Sequence, residues 1–350
     1  MTPTNSPTAV GSTRPAEDAT PAHPTPHPFL KWAGGKAQLL PALLARVPER
    51  IETYYEPFIG GGALFFALVA DPARRPRRAV LNDLNADLVT TYEVVRDAPE
   101  ALAERLEALE ARYLAADAPG REAHFYAVRA ERPIDRVEVA ARVIFLNRTC
   151  FNGLYRVNRR GEFNVPHGRY RTPRILDRPG LLAAAEALRG VELRRMDFAE
   201  ACADAKRGDP SGGGGDFVYF DPPFHPLSDT SNFTSYTESA FGKAEQLRLK
   251  RCIDALTHDG VRVMLSNSPH PWIVGVYEGG GYPVEVVPAR RAINSRGDRR
   301  GPIGELIVTN DPARTVSSST ITAAPSSPSR SIASDTVARG PSATVAEGTA

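Results

Sequence analysis

Three short apolar runs in this chain each stop at a turn with a restricted backbone, and helical spacing follows two of those turns directly. Tyr54–Ile59 runs into Gly60-Gly61-Gly62, after which Ala63–Ala70 reads as an apolar helix. Ala79–Leu81 stops at Asn82-Asp83, ahead of helical spacing over Asp87–Val95 and Glu100–Ala115. Asp216–Phe220 follows a Gly212–Gly215 loop and stops at Asp221-Pro222-Pro223. Ala37–Val47 has helical spacing, Gln246–Thr257 reads as an amphipathic helix and Val261–Ser266 as a buried strand, while Val284–Val287 and Glu305–Thr309 are strands able to close a sheet. Strands alternating with helices predict an α/β protein with a doubly wound sheet.

The rest of the composition bounds this reading. A length of 350 residues has room for one large domain or two ordinary ones. Residues 1–27 hold six prolines, and residues 312–350 hold nine serines and six threonines without an aromatic residue. Neither segment can bury enough apolar surface to offset its ordering entropy, so both are expected to be disordered tails around a folded core of 28–311. No apolar stretch approaches the roughly 18 residues of a membrane span. The N-terminus lacks a signal-peptide core. Cys150, Cys202 and Cys252 are widely spaced and lack metal-ligand spacing, which suits a reducing cytoplasm.

Net charge is only +2, but it is unevenly spread. Between Arg142 and Arg178 nine arginines face two acids, Glu162 and Asp177. Such an excess is the footprint of a polyanion partner, or else a solvated basic loop. This segment also interrupts the strand–helix alternation and therefore reads as an insertion. Arg290, Arg291, Arg296, Arg299 and Arg300 form a second basic cluster.

The turns carry the chemistry. Glycines between a strand and a helix let backbone amides approach a ligand, although Gly60-Gly61-Gly62 is not the GxGxxG fingerprint and also suits a tight structural turn. Asp83 ends the next strand, about 20 residues on, where a carboxylate can bind ribose hydroxyls or cap a helix. Trp32-Ala33-Gly34-Gly35-Lys36 departs from a phosphate loop at Leu30 and Ala37, which excludes nucleoside triphosphate hydrolysis by that motif. Asp221-Pro222-Pro223-Phe224 presents a carboxylate and a carbonyl in stiff geometry beside an aromatic ring. The Asp221 carboxylate and the Pro222 carbonyl can each accept one hydrogen of an exocyclic amine. A rigid turn with Phe224 in the core is the competing explanation.

Taken in order, these segments resemble the Dam-type (α-class, D12 family) DNA adenine N6-methyltransferases. FLKWAGGK (29–36), YEPFIGGGALFF (55–66), LNDLN (81–85) and DPPF (221–224) resemble the cofactor and catalytic motifs. FLNRTCFNGLYRVNRRGEFNVPHGRY (145–170) resembles the target-recognition hairpin, and PLSDTSNFTSY (226–236), LSNS (265–268) and ARRAINSRGDRRGPIGELIV (289–308) also match. The resemblance implies a Rossmann-like S-adenosylmethionine-dependent methyltransferase fold with an inserted helical and β-hairpin recognition domain. Residues 28–95 and 176–311 would be catalytic. Residues 96–175 would read DNA, with the hairpin near 148–170.

It further implies S-adenosylmethionine as methyl donor, held by Trp32, Lys36, Phe58, Gly60, Gly62, Asp83 and Asp221, with no metal. Asp221, Pro222, Pro223 and Phe224 would be catalytic, acting on an adenine flipped out of duplex DNA. Lys31, Leu154, Arg156, Arg159, Arg160, Pro166, Arg169 and Tyr170 would contact DNA, most simply at GATC. Phe163 and Val165 are expected in the hairpin core. Phe224 departs from the family's usual tyrosine; the ring face is kept, so stacking is expected to survive. His225 would line the site at most. Such an enzyme would work in the cytoplasm, at the nucleoid, with no membrane and no obligate protein partner. The alternatives are a catalytically weak DNA-binding module and an amino methyltransferase acting on RNA or protein glutamine, whose motif resembles NPPY rather than DPPF.

Overall fold

The computed structural model describes residues 24–32, 34–158, 160–208, 214–226, 241–290 and 302–311. Most of both expected tails, Arg159, residues 227–240 and the basic cluster from Arg291 to Arg300 lie outside the described residues.

Among the described residues, seven strands form one sheet: β1 (Ile51–Glu56), β2 (Arg78–Asn82), β3 (Glu192–Arg194), β4 (Gly215–Phe220), β5 (Arg262–Asn267), β6 (Val284–Arg290) and β7 (Pro302–Thr309). Their order is β3-β2-β1-β4-β5-β7-β6. The pairs among β1 to β5 are parallel; β7 runs antiparallel between β5 and β6. The predicted strands are all present, and the last two close the sheet as a β6–β7 pair.

Alternation of side chains sorts the strands onto two apolar faces. Tyr54, Leu81, Phe217, Tyr219, Met264 and Ile307 join one cluster. Tyr55, Val80, Val218, Phe220, Val263, Leu265 and Val308 join the other. The first face is covered by α1 (Leu40–Leu44), α2 (Ala63–Ala70), α3 (Ala86–Asp97), α4 (Pro99–Ala115), α5 (Ala118–Ala130), α6 (Arg136–Thr149) and α7 (Arg178–Leu188). The second is covered by α8 (Phe198–Ala201), α9 (Lys243–His258) and α10 (Pro271–Glu278). The sheet is therefore doubly wound, in the Rossmann-like arrangement expected. Its strand order reverses between β1 and β4, which opens a crevice at their carboxyl ends.

The segment 96–175 contributes α4 to α6 and the hairpin. Helix α6 packs against α3 and α4, and residues Ala140–Asn147 are buried without interruption. Leu102, Leu106, Phe125 and Phe145 extend the same apolar cluster that holds Tyr54 of β1. Within this region Tyr113, His124, Phe145 and His167 form an aromatic group. The Tyr113 hydroxyl lies 2.6 Å from His167 Nε2, while both ring nitrogens of His124 and Nδ1 of His167 are buried with no hydrogen-bond partner.

Burial, aided by nearby arginines, holds both histidines below the usual imidazole pKa. The unfolded chain would take up these two protons near pH 6.5, and the folded chain resists them. Stability from this group is thus complete above that pH and falls as acid is added. Thermal melting should drop between about pH 7 and pH 5. Replacing His124 by Phe, which can fill the same aromatic site, should flatten that drop; an unchanged slope would exclude this origin.

Candidate active site and nucleic-acid face

Asp221 leaves the end of β4 at the reversal of strand order, and two prolines stiffen the turn that follows. A buried polar relay clamps this turn from behind. Gln246 of α9 donates through Nε2 to the Pro223 carbonyl at 3.0 Å, and its Oε1 accepts from Asn267 Nδ2 at 3.0 Å. Asn267 Oδ1 accepts from the Ser268 amide, and the Ser268 hydroxyl donates to the His225 carbonyl at 2.7 Å. Gln246, Asn267 and Ser268 are all buried. Because the relay fixes main-chain carbonyls on both sides of Phe224, the whole turn is held rather than one side chain.

Lys36 reaches this turn from a short 3-10 segment before α1. Its ammonium donates to the Gly34 carbonyl at 2.6 Å, lies 2.8 Å from Asp221 Oδ1 and 3.2 Å from Glu305 Oε1, and sits over the Phe224 ring at 4.7 Å. Burial works against the charge on Lys36, but the two carboxylates outweigh it and hold the pKa above its usual value. Asp221 is raised by burial, with Lys36 opposing. Beneath them, Glu56 accepts from the Tyr54 hydroxyl at 2.8 Å, and burial pushes its carboxyl well above the usual range. The site is a cation among three acids in a largely dry setting, while Asp221 keeps 23% of its side chain exposed.

The neighbouring cleft is built by the glycine turn. Gly60 (φ +45°) and Gly62 (φ +66°) occupy the left-handed region, and a Cβ on Gly60 would lie 2.7 Å from the Trp32 ring. Trp32 stacks on Tyr155 with centroids 5.1 Å apart, so the turn, the N-terminal segment and the hairpin meet at one indole. Asn82 stitches the strand ends together: it donates to the Pro57 and Met196 carbonyls and accepts from the Met196 amide. Asp83 Oδ2 accepts from the Gly60 amide at 3.4 Å and Oδ1 from the Asn85 amide at 3.0 Å. Burial raises its pKa against these amides. Phe58 lies half-buried among Phe198, Phe220 and Phe241. The cleft thus offers close approach to the backbone, a carboxylate acceptor and an aromatic wall, a set that suits a nucleoside with free hydroxyls.

The hairpin runs beside this cleft. Val157 pairs with Phe163 and Cys150 with His167, and Asn158 closes the turn by accepting from the Arg160 and Glu162 amides. Phe163 and Val165 are buried, as expected for hairpin core. Asn147 ties the hairpin base to the N-terminal segment: it accepts from the Lys31 amide and donates to the Lys31 and Gly153 carbonyls. The Lys31 ammonium lies 5.7 Å over the Tyr170 ring, and the Tyr170 hydroxyl accepts from the Asn152 amide. Lys31, Arg156, Arg160, Pro166 and Arg169 are exposed; Leu154 packs partly against the core. Arg156 Nε donates to Asn164 Oδ1 at 2.7 Å.

The arginine count needs correction. Arg142 is buried and donates to the Val128 and Arg129 carbonyls, and Arg148 donates to the Phe29 carbonyl. Arg174 and Arg178 pair with Asp177 and Glu100. These four serve the fold, because guanidinium groups can satisfy several carbonyls or acids at once. The polyanion-facing charge is smaller than the sequence suggests and lies on the hairpin.

The reading of the sequence missed Gln246, Glu56 and Glu305 as site residues, and it missed the segment Met196–Phe198 beside Phe58. Glu305 had a visible signal, since it is the one ionisable residue in the strand PIGELIVT. Gln246 had none. Gln246→Ala would leave the buried Asn267 amide unpartnered, a cost of about 1–3 kcal/mol. The variant should melt lower and turn over about tenfold more slowly, with cofactor affinity within about twofold of the parent, because the turn rather than the cleft loosens. Equal loss of affinity and turnover would refute this division.

Sequence comparison agrees with the geometry. The pattern of the D12 class N6 adenine-specific DNA methyltransferases matches residues 32–293. A Type II methyltransferase of Lactococcus lactis subsp. cremoris is 41% identical over 290 residues, covering 81% of this chain and 95% of that protein. A Type II methyltransferase of Methanocaldococcus jannaschii is 40% identical over 297 residues, covering 81% and 98%. The DNA adenine methylase of Escherichia coli strain K12 is 34% identical over 286 residues, covering 81% and 95%. With a family pattern spanning most of the chain and relatives matched over nearly their full length, the chain belongs to the D12 class of N6 adenine-specific DNA methyltransferases.

Proposed function

We propose that this enzyme methylates adenine within GATC in duplex DNA, after flipping the base out of the helix, with S-adenosylmethionine as donor. The observation that carries this reading is the clamped Asp221 turn, tied by Lys36 to the N-terminal segment whose Trp32 meets both the glycine turn and the hairpin. S-adenosylmethionine, when bound, supplies an electrophilic methyl group on a sulfonium centre. The residues fit it: Asp83 is an acceptor-only carboxylate whose burial disfavours its charge, a penalty that ribose hydroxyls would relieve. Gly60 and Gly62 leave the backbone open to close approach, and Trp32 and Phe58 supply apolar walls.

Asp221 accepts one hydrogen of the adenine amine and the Pro222 carbonyl the other, which turns the nitrogen lone pair toward the methyl group. Phe224 stacks on the flipped ring and offsets part of the few kcal/mol that unstacking costs. Before the amine arrives, Lys36 holds the Asp221 carboxylate in place. Residues 28–95 and 176–311 carry out the transfer, while 96–175 reads the DNA. Arg156 and Lys31 read bases together with Leu154, Pro166 and Tyr170. Arg159, Arg160 and Arg169 hold phosphates, which position without specifying. A modification role of the Type II kind accords with the names of two relatives, and work on chromosomal DNA would place the enzyme in the cytoplasm at the nucleoid. No helix among the described residues is long and apolar enough to cross a membrane.

Label from S-adenosylmethionine should enter a GATC duplex and spare one whose adenine is replaced. Label entering other adenine-containing duplexes equally would remove GATC from the reading. Asp221→Asn should cost at least about a hundredfold in turnover, since it exchanges a charged acceptor for an amide. Arg156→Ala should lower the preference for GATC over near-cognate sites by about 1–3 kcal/mol. Uniform weakening on all DNA would instead make Arg156 a phosphate contact.

A further inference from the structure

Glu305 stands in the middle of β7, the antiparallel strand inserted between β5 and β6. It is far from every turn that carries the cofactor and catalytic motifs in sequence. Its side chain keeps only 13% exposure, and Oε1 forms an ion pair with the Lys36 ammonium at 3.2 Å. Lys36 has three N–H groups. One goes to the Gly34 carbonyl, Asp221 Oδ1 lies at 2.8 Å, and Glu305 is the second carboxylate within reach. Two buried carboxylates thus compete for one ammonium, and its position between them sets how much charge each keeps free.

A carboxylate whose charge is committed to an ammonium is a weaker acceptor for an incoming amine. We propose that Glu305 is a positioning residue for methyl transfer: it draws the Lys36 ammonium away from Asp221 as the target amine arrives, so that Asp221 meets the amine as a full acceptor. This rests on the reading of Asp221 as the amine's acceptor. The charged and titratable groups that face Glu305 among the described residues are Lys36, Asp221 and the Tyr219 hydroxyl. Its cross-strand neighbour on β6 is Val287, and β5 brings Ser266 and Asn267, which do not titrate. Burial pushes Glu305 up to about 7, with Lys36 opposing. Below neutrality the protonated side chain loses its pull on Lys36, as a glutamine would.

The test compares the full-length parent enzyme with Glu305→Gln, Glu305→Asp and Asp221→Asn, measuring kcat, KM for DNA, Kd for S-adenosylmethionine and thermal melting. Glu305→Gln should lower kcat about tenfold at pH 8, with KM and Kd within about twofold of the parent. The parent's kcat should climb between about pH 6 and pH 8 as Glu305 ionises, whereas Glu305→Gln should be flat there. If the glutamine variant melts early, Glu305→Asp, which keeps the charge, should retain the climb. Unchanged kcat in Glu305→Gln, or the same climb with and without the carboxylate, overturns the proposal. If Asp221→Asn keeps parental turnover, the Asp221 reading fails and this one with it. If Asp221→Asn is inactive while Glu305→Gln is unimpaired, only the role of Glu305 falls.

Discussion

The ion pair between Lys36 and Asp221 joins two segments far apart in the chain at the one place where the sheet changes direction. Lys36 is 4% exposed, and its partner lies 2.8 Å away. Taking such a pair from water is costly, and removing one partner alone would leave an uncompensated charge worth about 3–5 kcal/mol. The surrounding architecture answers that cost. The Gly34 carbonyl and Glu305 share the ammonium, and the relay through Gln246, Asn267 and Ser268 holds the turn on which Asp221 sits. On the proposed mechanism, the rigidity of this turn serves the chemistry, because an acceptor that must be reoriented during the reaction helps less than one already in place.

The same logic links the proposed cofactor side to the proposed DNA side. Trp32 stacks on Tyr155 of the hairpin while leaning on the glycine turn. One residue earlier, Lys31 is tied through Asn147 to the hairpin base. The N-terminal segment is therefore a brace shared by both surfaces. Displacement of the hairpin by DNA would be felt at the indole, and closing of the cleft would be felt at Lys31. Two clefts with separate cores would lack that connection; here the helices of 96–175 pack into the cluster that underlies β1.

Apart from the three-residue β3 (Glu192–Arg194), the strands were legible, as were helices α2, α3, α4 and α9, because each carries its own signal; α8 and α10 were missed. Ala63–Ala70 follows its glycines, and β4 ends at a double proline, so local turn chemistry marks both boundaries. Helix α6 was not legible. Its residues are buried nearly all round, so the period of 3.6 that reveals a surface helix is absent. Helices α5 and α7 were also missed, beside a segment whose arginines drew the eye as surface charge. Arg142 and Arg148 turned inward instead, since a carbonyl-rich interior can satisfy a guanidinium as well as a phosphate can. Cys202 and Cys252, about fifty residues apart in sequence, lie with sulfurs 3.9 Å apart as free thiols, a proximity that spacing does not reveal.

By itself the sequence determined the alternation of strand and helix, the three turns that end β1, β2 and β4, and the order of motifs that marks the family. Those features are written in neighbouring residues, where glycine and proline limit the backbone directly. Only the tertiary structure decided which groups surround Asp221. Lys36, Gln246, Asn267 and Glu305 come from four separate places, and strand order alone brings them to one turn. A carboxylate on an edge-inserted strand has no local mark of its partner, because pairing across the sheet depends on register and on the reversal between β1 and β4.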